Sequence, residues 1–333
     1  MYFFNIMEYK SSMKVGVVGE IHPSGYEIFE NNNIEYFVTN SKEEDQLTIE
    51  LSDVDGIVVR TVKLSKKVLS NAKKLKVVAR HGVGYDNVDY NFLNENKIAL
   101  AITGTANSVS VSEHVMTMML CLTKNIYESD KLVKLNKFKE KANLPNFFEL
   151  YQKKILILGF GRIGKELARR CMAFDMEIYI HDPFISEDEI RSMNYIPTDK
   201  ETGFKIADYI SIHLPLNSET KDLISYKQFE SFKSNLILIN TARGGIVNEN
   251  ALFDALKNKK ILAAGLDVFE TEPPIENHML FSLQNTLLTP HNSALTLECR
   301  KRMATESCEN VFNFLTKSKN LNKSNIINLN IIS

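Results

Sequence analysis

Three carboxylates stand close together in "GLDVFETEPP", residues 265–274: Asp267, Glu270 and Glu272. The segment closes on Pro273-Pro274, and His291 of "TPH" follows 19 residues past Glu272. A carboxylate paired with a histidine can move protons. The imidazole titrates near neutrality, and a carboxylate on one ring nitrogen fixes the tautomer and favours the charged ring. Taken alone, these residues allow two readings: a solvated acidic loop beside an unrelated histidine, or half of a proton-transfer apparatus. Arg243 in "TARGG" adds a cation of the right kind for an organic acid. A guanidinium is planar, always charged and bidentate, so it can hold a carboxylate and polarise a reacting oxygen. A lone arginine before Gly-Gly is more often a surface residue.

A second group of residues has spacing that suits a dinucleotide. "ILILGFGRIG" puts Gly159, Gly161 and Gly164 in G-x-G-x-x-G register, with an apolar strand before it and the helical "RIGKELARRCMAF" after it. That context is what the motif requires. Gly159 permits the tight turn, Gly161 lets the backbone approach a pyrophosphate, and Gly164 lets helix and strand pack closely. The pyrophosphate would rest on the helix N-terminus. Asp182 ends the next strand, "MEIYIHD", 18 residues after Gly164. A carboxylate there accepts from both ribose hydroxyls and repels a 2′-phosphate, which favours NAD over NADP.

These groups need rigid elements to position them. A chain of 333 residues, 44% hydrophobic, is long enough for two domains with their own cores. The formal net charge of −1 gives no field to attract nucleic acid or a membrane surface. No apolar run reaches the roughly 20 residues of a membrane span. The cysteines, Cys121, Cys171, Cys299 and Cys308, form no C-x-x-C pair. No zinc site or disulfide framework is expected, and a reducing, cytoplasmic compartment fits. Residues 1–12 read as a disordered extension, with Met13 as an alternative start. The Asn- and Ile-rich tail, "NLNKSNIINLNIIS", reads as compositional bias without chemistry.

Short β-branched runs alternate with helical patterns: "KVGVVG", "DGIVVR", "LKVVAR" and "KIALAI" read as buried strands, and "PSGYEIFENN" and "SKKVLSNAKK" as helices. This alternation implies a parallel sheet covered on both faces. One long helix is expected over 108–135, its methionines serving packing. A second series follows, "KKILILGF", "MEIYIHD", "DYISIHL", "NLILINT", "ILAAGLDV" and "NTLLTPH", and then a last helical run from Thr296. The expected division is a discontinuous unit, 13–103 with 296–333, around a continuous one, 104–295. Asp175, at a helix-to-strand turn, is expected in the left-handed conformation.

Six motifs in order, "GVGYDNVD", "NSVSVSEHV", "LPLNSETKDLI", "INTARGGIVNENAL", "GLDVFETEPP" and "TPH", together with the glycine fingerprint, resemble the D-isomer-specific 2-hydroxyacid dehydrogenase family. The resemblance covers the chain from Met13 to about Lys317. It implies an α/β protein of two doubly wound parallel-sheet domains. A continuous Rossmann NAD-binding domain would be inserted in a discontinuous, flavodoxin-like substrate-binding domain, with the active site in the cleft and homodimers formed through the NAD domain. By resemblance the catalytic set falls on Arg243, Glu272 and His291. The NAD contacts fall on Arg162 and Ile163 of the glycine turn, Asp182, Leu214, Thr241, Ala242, Asp267 and Val83, and on Asn292, Ser293 and Ala294 after the histidine. Those last three depart from the Gly- or Ala-rich sequence common there. Glu270 matches no family site and is expected to be a solvated carboxylate.

Oxidising a 2-hydroxy acid removes a hydride from carbon and a proton from oxygen. His291 would take the proton, Glu272 would orient the ring, and Arg243 would hold the carboxylate. Arg60 and Arg80 end two strands of the first unit, where open α/β sheets bind ligands. The resemblance implies that backbone N–H groups at Gly82 and Val83 hold the substrate carboxylate. The arginines could then meet a second anion, which favours 3-phosphoglycerate over lactate; hydroxypyruvate or glyoxylate reduction is the alternative. The chain ends 42 residues after His291, so no appended regulatory domain is expected. A non-enzymatic, NAD-sensing corepressor-like protein is the competing reading from another class.

Overall fold

The computed structural model describes residues 13–332, so the extension expected at 1–12 lies outside the described residues. The chain divides into two compact units: one runs to Asn107 and resumes at Thr296, and the other is Ser108–Leu295. The first begins β1 (Lys14–Val18), α1 (Pro23–Glu30), β2 (Glu35–Thr39), α2 (Glu44–Glu50) and β3 (Gly56–Val59). It continues with α3 (Lys66–Asn71), β4 (Val77–Arg80), α4 (Tyr90–Glu95) and β5 (Ala99–Ile102).

The second unit holds α5 (Ser108–Lys124), α6 (Ile126–Lys134), β6 (Lys154–Leu158), α7 (Arg162–Met172), β7 (Glu177–His181), α8 (Glu187–Ser192), β8 (Ile196–Pro197) and α9 (Lys200–Ile206). It ends with β9 (Tyr209–Ile212), α10 (Tyr226–Phe229), β10 (Ile237–Asn240), α11 (Glu249–Lys257), β11 (Ala263–Leu266) and β12 (Thr286–Leu288). The chain then returns to the first unit with α12 (Leu297–Leu315) and α13 (Leu329–Ile332).

The first sheet has the order β2-β1-β3-β4-β5 with every pairing parallel. Its strands are apolar on both faces because helices cover both. Val15, Val17 and Ala79 pack with Phe29 of α1 and with Ala304, Cys308 and Val311 of α12. Val18, Ile57 and Val59 pack with Leu47, Val68 and Leu93 of α2, α3 and α4. β2 carried no strand signal in the sequence reading. It is an edge strand, half exposed, so its residues show neither continuous burial nor clean alternation.

The tail, expected to carry no chemistry, has a structural part. Ile326 forms an antiparallel bridge with Ala101, and Ile327 N–H donates to Leu100 O. Asn328 is fully buried: its Oδ1 accepts from Leu100 N–H, and its Nδ2 donates to Ile98 O and Asn94 Oδ1. These bonds cover the outer edge of β5, whose polar backbone would otherwise lie open.

The second sheet has the order β12-β11-β10-β9-β6-β7-β8, again parallel throughout. Strand order reverses between β6 and β9, so the crevice for a ligand opens where those two strands end. The helix expected over 108–135 is two helices. Asn125 takes φ +47°, which ends the α5 hydrogen-bond ladder and lets α6 start in a new direction. Asp175 takes φ +55°, the left-handed turn expected of it.

Candidate active site

Gly159 follows β6 at φ +92°, and a Cβ on it would lie 2.6 Å from His213 O at the end of β9. The turn therefore sits at the reversal point with no room for a side chain. A Cβ on Gly164 would lie 2.3 Å from Gly159 O, so helix α7 closes directly on the turn. Gly161 differs: a Cβ there would meet nothing within 4 Å. It also offers no side chain to cap α7, whose first-turn N–H groups lack intrahelical acceptors by geometry. Open space before a helix N-terminus fits a pyrophosphate, with Arg162 and Ile163 on its first turn.

Asp182 follows β7, with Oδ2 accepting from Phe160 N–H at 2.7 Å and Oδ1 from Phe184 N–H at 2.9 Å. These bonds fix the carboxylate beside the glycine turn, and each oxygen keeps a lone pair for a hydroxyl. Leu214 packs beside Gly159 on the core that also holds Ala242. Thr241 is buried, and its Oγ1 makes no hydrogen bond among the described residues. The residues present thus fit a dinucleotide with unphosphorylated ribose.

His291 and Glu272 meet as expected from the motifs: His291 Nδ1 lies 2.7 Å from Glu272 Oε2. Glu272 Oε1 accepts from Phe269 N–H at 3.1 Å. Burial alone would raise the Glu272 carboxyl. The hydrogen bonds from His291 and Phe269, and the charges of His291 and Arg243, outweigh burial and hold it below its ordinary range. An ionised carboxylate only accepts, so His291 Nδ1 carries the proton. In the neutral ring Nε2 is then bare and basic. The side chains are 48% and 37% exposed, which leaves the pair accessible. A mostly apolar cavity of about 430 Å³ adjoins it, lined in part by Phe269, Pro274, Phe281, Leu288 and Pro290.

Arg243 sits in a turn that the sequence reading did not explain. Asn240 holds it at both ends, Oδ1 accepting from Ala242 N–H at 3.0 Å and Nδ2 donating to Arg243 O at 2.8 Å. Gly244 lets this turn press on the Glu272 loop: a Cβ there would lie 1.8 Å from Phe269 O. That close approach puts the guanidinium charge within reach of Glu272. Asn240 carried only a weak sequence signal, a polar residue ending an apolar strand.

Two carboxylates have other roles than those expected. Asp267 was expected to face the cofactor, but it is 0% exposed. Its Oδ1 accepts from the Thr289 hydroxyl at 2.5 Å and Asn292 N–H at 2.9 Å, and its Oδ2 from Ser293 N–H at 3.0 Å. The enclosed carboxylate therefore organises the loop around His291. Glu270 was expected to be merely solvated. Its Oε1 accepts from Glu249 N–H at 2.9 Å, while Glu249 Oε1 accepts from Glu270 N–H at 2.8 Å. It thus satisfies a donor at the N-terminus of α11. Buried His278 pairs with Glu249 at 2.9 Å and packs edge-on against Phe269. After His291, Asn292 and Ala294 are partly buried, Ser293 is buried, and Asn292 Oδ1 makes no hydrogen bond among the described residues.

In the first unit, Arg60 directly follows β3 and Arg80 ends β4, on neighbouring strands. His81, next in the chain after Arg80, is buried. Burial, then the charges of Arg80 and Arg60 and, less strongly, of Arg300, push its pKa down from 6.5 to about 4. Arg80 donates Nε to Asn87 Oδ1 at 3.1 Å and a further N–H to His81 O. Gly82 N–H, expected to meet a substrate carboxylate, donates to Arg80 O at 2.9 Å. It is committed to its own turn, and Val83 beside it is partly buried.

The profile of the NAD binding domain of the D-isomer specific 2-hydroxyacid dehydrogenases matches residues 116–293. The chain is 35% identical to a D-3-phosphoglycerate dehydrogenase of Archaeoglobus fulgidus, over 95% of this chain and 59% of that one. It is 37% identical to a hydroxypyruvate reductase of Thermotoga maritima, over 81% of this chain and 88% of that one. The chain thus spans under two thirds of the phosphoglycerate dehydrogenase. Among solved structures, the PH0520 protein of Pyrococcus horikoshii OT3 superposes with a TM-score of 0.84 at 27% identity, covering 96% of each chain. Profile, relatives and fold agree: the chain belongs to the D-isomer specific 2-hydroxyacid dehydrogenase family.

Proposed function

We propose that the chain is an NAD-dependent oxidoreductase that interconverts a D-2-hydroxy acid and its 2-keto acid, with 3-phosphoglycerate and 3-phosphohydroxypyruvate as the favoured pair. The observation that carries the reading is the His291–Glu272 hydrogen bond of 2.7 Å, with Arg243 acting electrostatically on the same carboxylate. A bound nicotinamide supplies the hydride acceptor or donor. Gly159, Gly161, Arg162, Ile163 and Gly164 would hold its pyrophosphate, and Asp182 its ribose. Thr241 and Asn292 each hold a buried oxygen with no hydrogen-bond partner among the described residues, which supports a polar ligand there.

The chain's own residues do the rest. Glu272 keeps the proton on His291 Nδ1, so Nε2 takes the hydroxyl proton in oxidation and returns it in reduction. Arg243 binds the substrate carboxylate bidentately and stabilises negative charge developing on the reacting oxygen.

The substrate assignment draws on Arg60, Arg80 and Arg300, whose charges act together around His81. Such a concentration of positive charge suits a phosphate. The commitment of Arg80 to Asn87 and His81 O supports hydroxypyruvate as the second reading. The four thiols are free, which suits the cytoplasm, and no described helix is long and apolar enough to cross a membrane. Ile126, Tyr127, Val133 and Leu135 lie exposed on and beside α6, which supports a homodimer formed through the second unit.

A panel of 3-phosphohydroxypyruvate, hydroxypyruvate, glyoxylate and pyruvate with NADH tests this. The phosphorylated acid should be preferred, and Arg60→Ala should remove the preference. Best turnover of hydroxypyruvate, indifferent to Arg60, would establish the second reading. No turnover of any acid with NADH binding intact would sink the enzymatic reading and favour a cofactor-sensing protein.

A further inference from the structure

His291 takes φ +50°, the left-handed region, although it has a full side chain. A backbone held there is strained and persists only when its surroundings determine it. Those surroundings are the partners of Asp267. On one side of His291 its carboxylate takes the Thr289 hydroxyl, and on the other the N–H groups of Asn292 and Ser293. The loop is thereby drawn around one buried oxygen pair, and the imidazole is thrown outward toward Glu272.

Helix α5 reinforces both flanks. His114 Nε2 lies 3.1 Å from Thr289 Oγ1, and Ser110 Oγ donates to Ser293 O at 2.6 Å. Ser110 and His114 are four residues apart, so they share one helix face a turn apart. The direction of the first bond follows from counting protons. Thr289 has one hydroxyl proton, and the Asp267 carboxylate can only accept it. Thr289 Oγ1 must then accept from His114, whose Nε2 must carry a proton.

We propose that His114, Thr289 and Asp267 form a directed chain of hydrogen bonds that holds His291 in its strained conformation, making His114 and Thr289 positioning residues for proton transfer. The kinetic part rests on the function proposed above; the tautomer of His114 does not. The chain runs His114 Nε2–H to Thr289 Oγ1, and Thr289 O–H to Asp267 Oδ1. Its effect on His291 is geometric: neither His114 nor Thr289 exchanges a proton with substrate. Loss of one link frees the residues around His291, and the ring then loses its alignment between Glu272 and the reacting oxygen.

Two measurements test this. The first is ¹⁵N NMR of the wild-type chain labelled in its seven histidines, with His114 assigned from His114→Gln. The neutral His114 ring should be the Nε2–H tautomer, and a bare Nε2 would overturn the proposal. The second is kinetic. His114→Leu and Thr289→Val should each lower kcat about 10- to 100-fold, the scale of a small misplacement of a reacting group. KM for the keto acid and the affinity for NADH should change little. His114→Gln and Thr289→Ser, which keep the donor and the hydroxyl, should retain most of kcat. The double variant should be no worse than either disruptive single one. Unchanged kcat in the disruptive variants, equal loss in the conservative ones, or additive losses in the double variant would each refute it. If the wild-type chain turns over no 2-keto acid, the functional reading fails, and the His114 tautomer still judges the chain of bonds.

Discussion

Glu272 owes its role to three neighbours. Phe269 N–H and His291 Nδ1 share its two oxygens, and Arg243 adds charge from a separate turn. Its carboxyl therefore stays ionised to lower pH than an ordinary glutamate. The stability that this depressed pKa confers is present above the unfolded-state value of about 4.3 and is lost as pH falls through the lower folded value. The difference in Tm between the wild-type chain and Glu272→Gln should thus be full at pH 7 and shrink below about pH 4.3. At neutral pH the same variant should lower kcat by about 10²-fold or more, because an amide no longer dictates the Nδ1–H tautomer. Thermal melts across pH and steady-state kinetics check the two halves; a Tm gap that widens on acidification would contradict the sign. At this scale the motifs singled out His291, Glu272 and Arg243 as candidates, and the structure brings the first two into contact. The separate fates of Asp267 and Glu270 stayed hidden, because both look alike in a list of acidic residues.

At the scale of elements, the active-site turns are placed by contacts between loops. Gly244 is the clearest case, since its missing side chain lets the Arg243 turn touch the Phe269 backbone. Gly244→Ala should cost roughly 1–3 kcal/mol, as overpacking against an unyielding carbonyl does. It should also lower kcat by moving Arg243 away from the Glu272 loop; urea unfolding and kinetics on the same sample measure both. In the first unit the tail around Asn328 seals the edge of β5. Asn328→Leu would strand Leu100 N–H and Ile98 O in the interior, at about 1–3 kcal/mol for each group. A lower urea midpoint with an unchanged slope is the expected result, and a neutral outcome would show that the tail contributes no stability. The β-branched strands were legible because burial on both faces leaves a local signature. The break at Asn125 and the half-exposed β2 were not, because nothing in their composition distinguishes them from their neighbours; the tail stood out by composition, but its docking depends on partners 228 and 230 residues away in the chain.

At the scale of the whole molecule, acid stability should carry the mark of His81. Its folded pKa of about 4 lies well below its ordinary 6.5. As pH falls through that window the unfolded chain takes up a proton that the folded chain refuses, so stability declines, by about 3 kcal/mol or less, and levels off below pH 4. A His81→Asn variant should lack this slope; equal slopes in the two proteins, followed by denaturant titration at several pH values, would disprove the effect. The sequence by itself determined the alternation of strands and helices and the glycine turn. These rest on short-range spacing, where a few residues decide whether a turn closes or a strand is buried. Only the tertiary structure decided what each carboxylate does and how His291 is held. Those outcomes depend on hydrogen bonds between residues as far apart in the chain as His114 and Thr289, whose partnership no local pattern records.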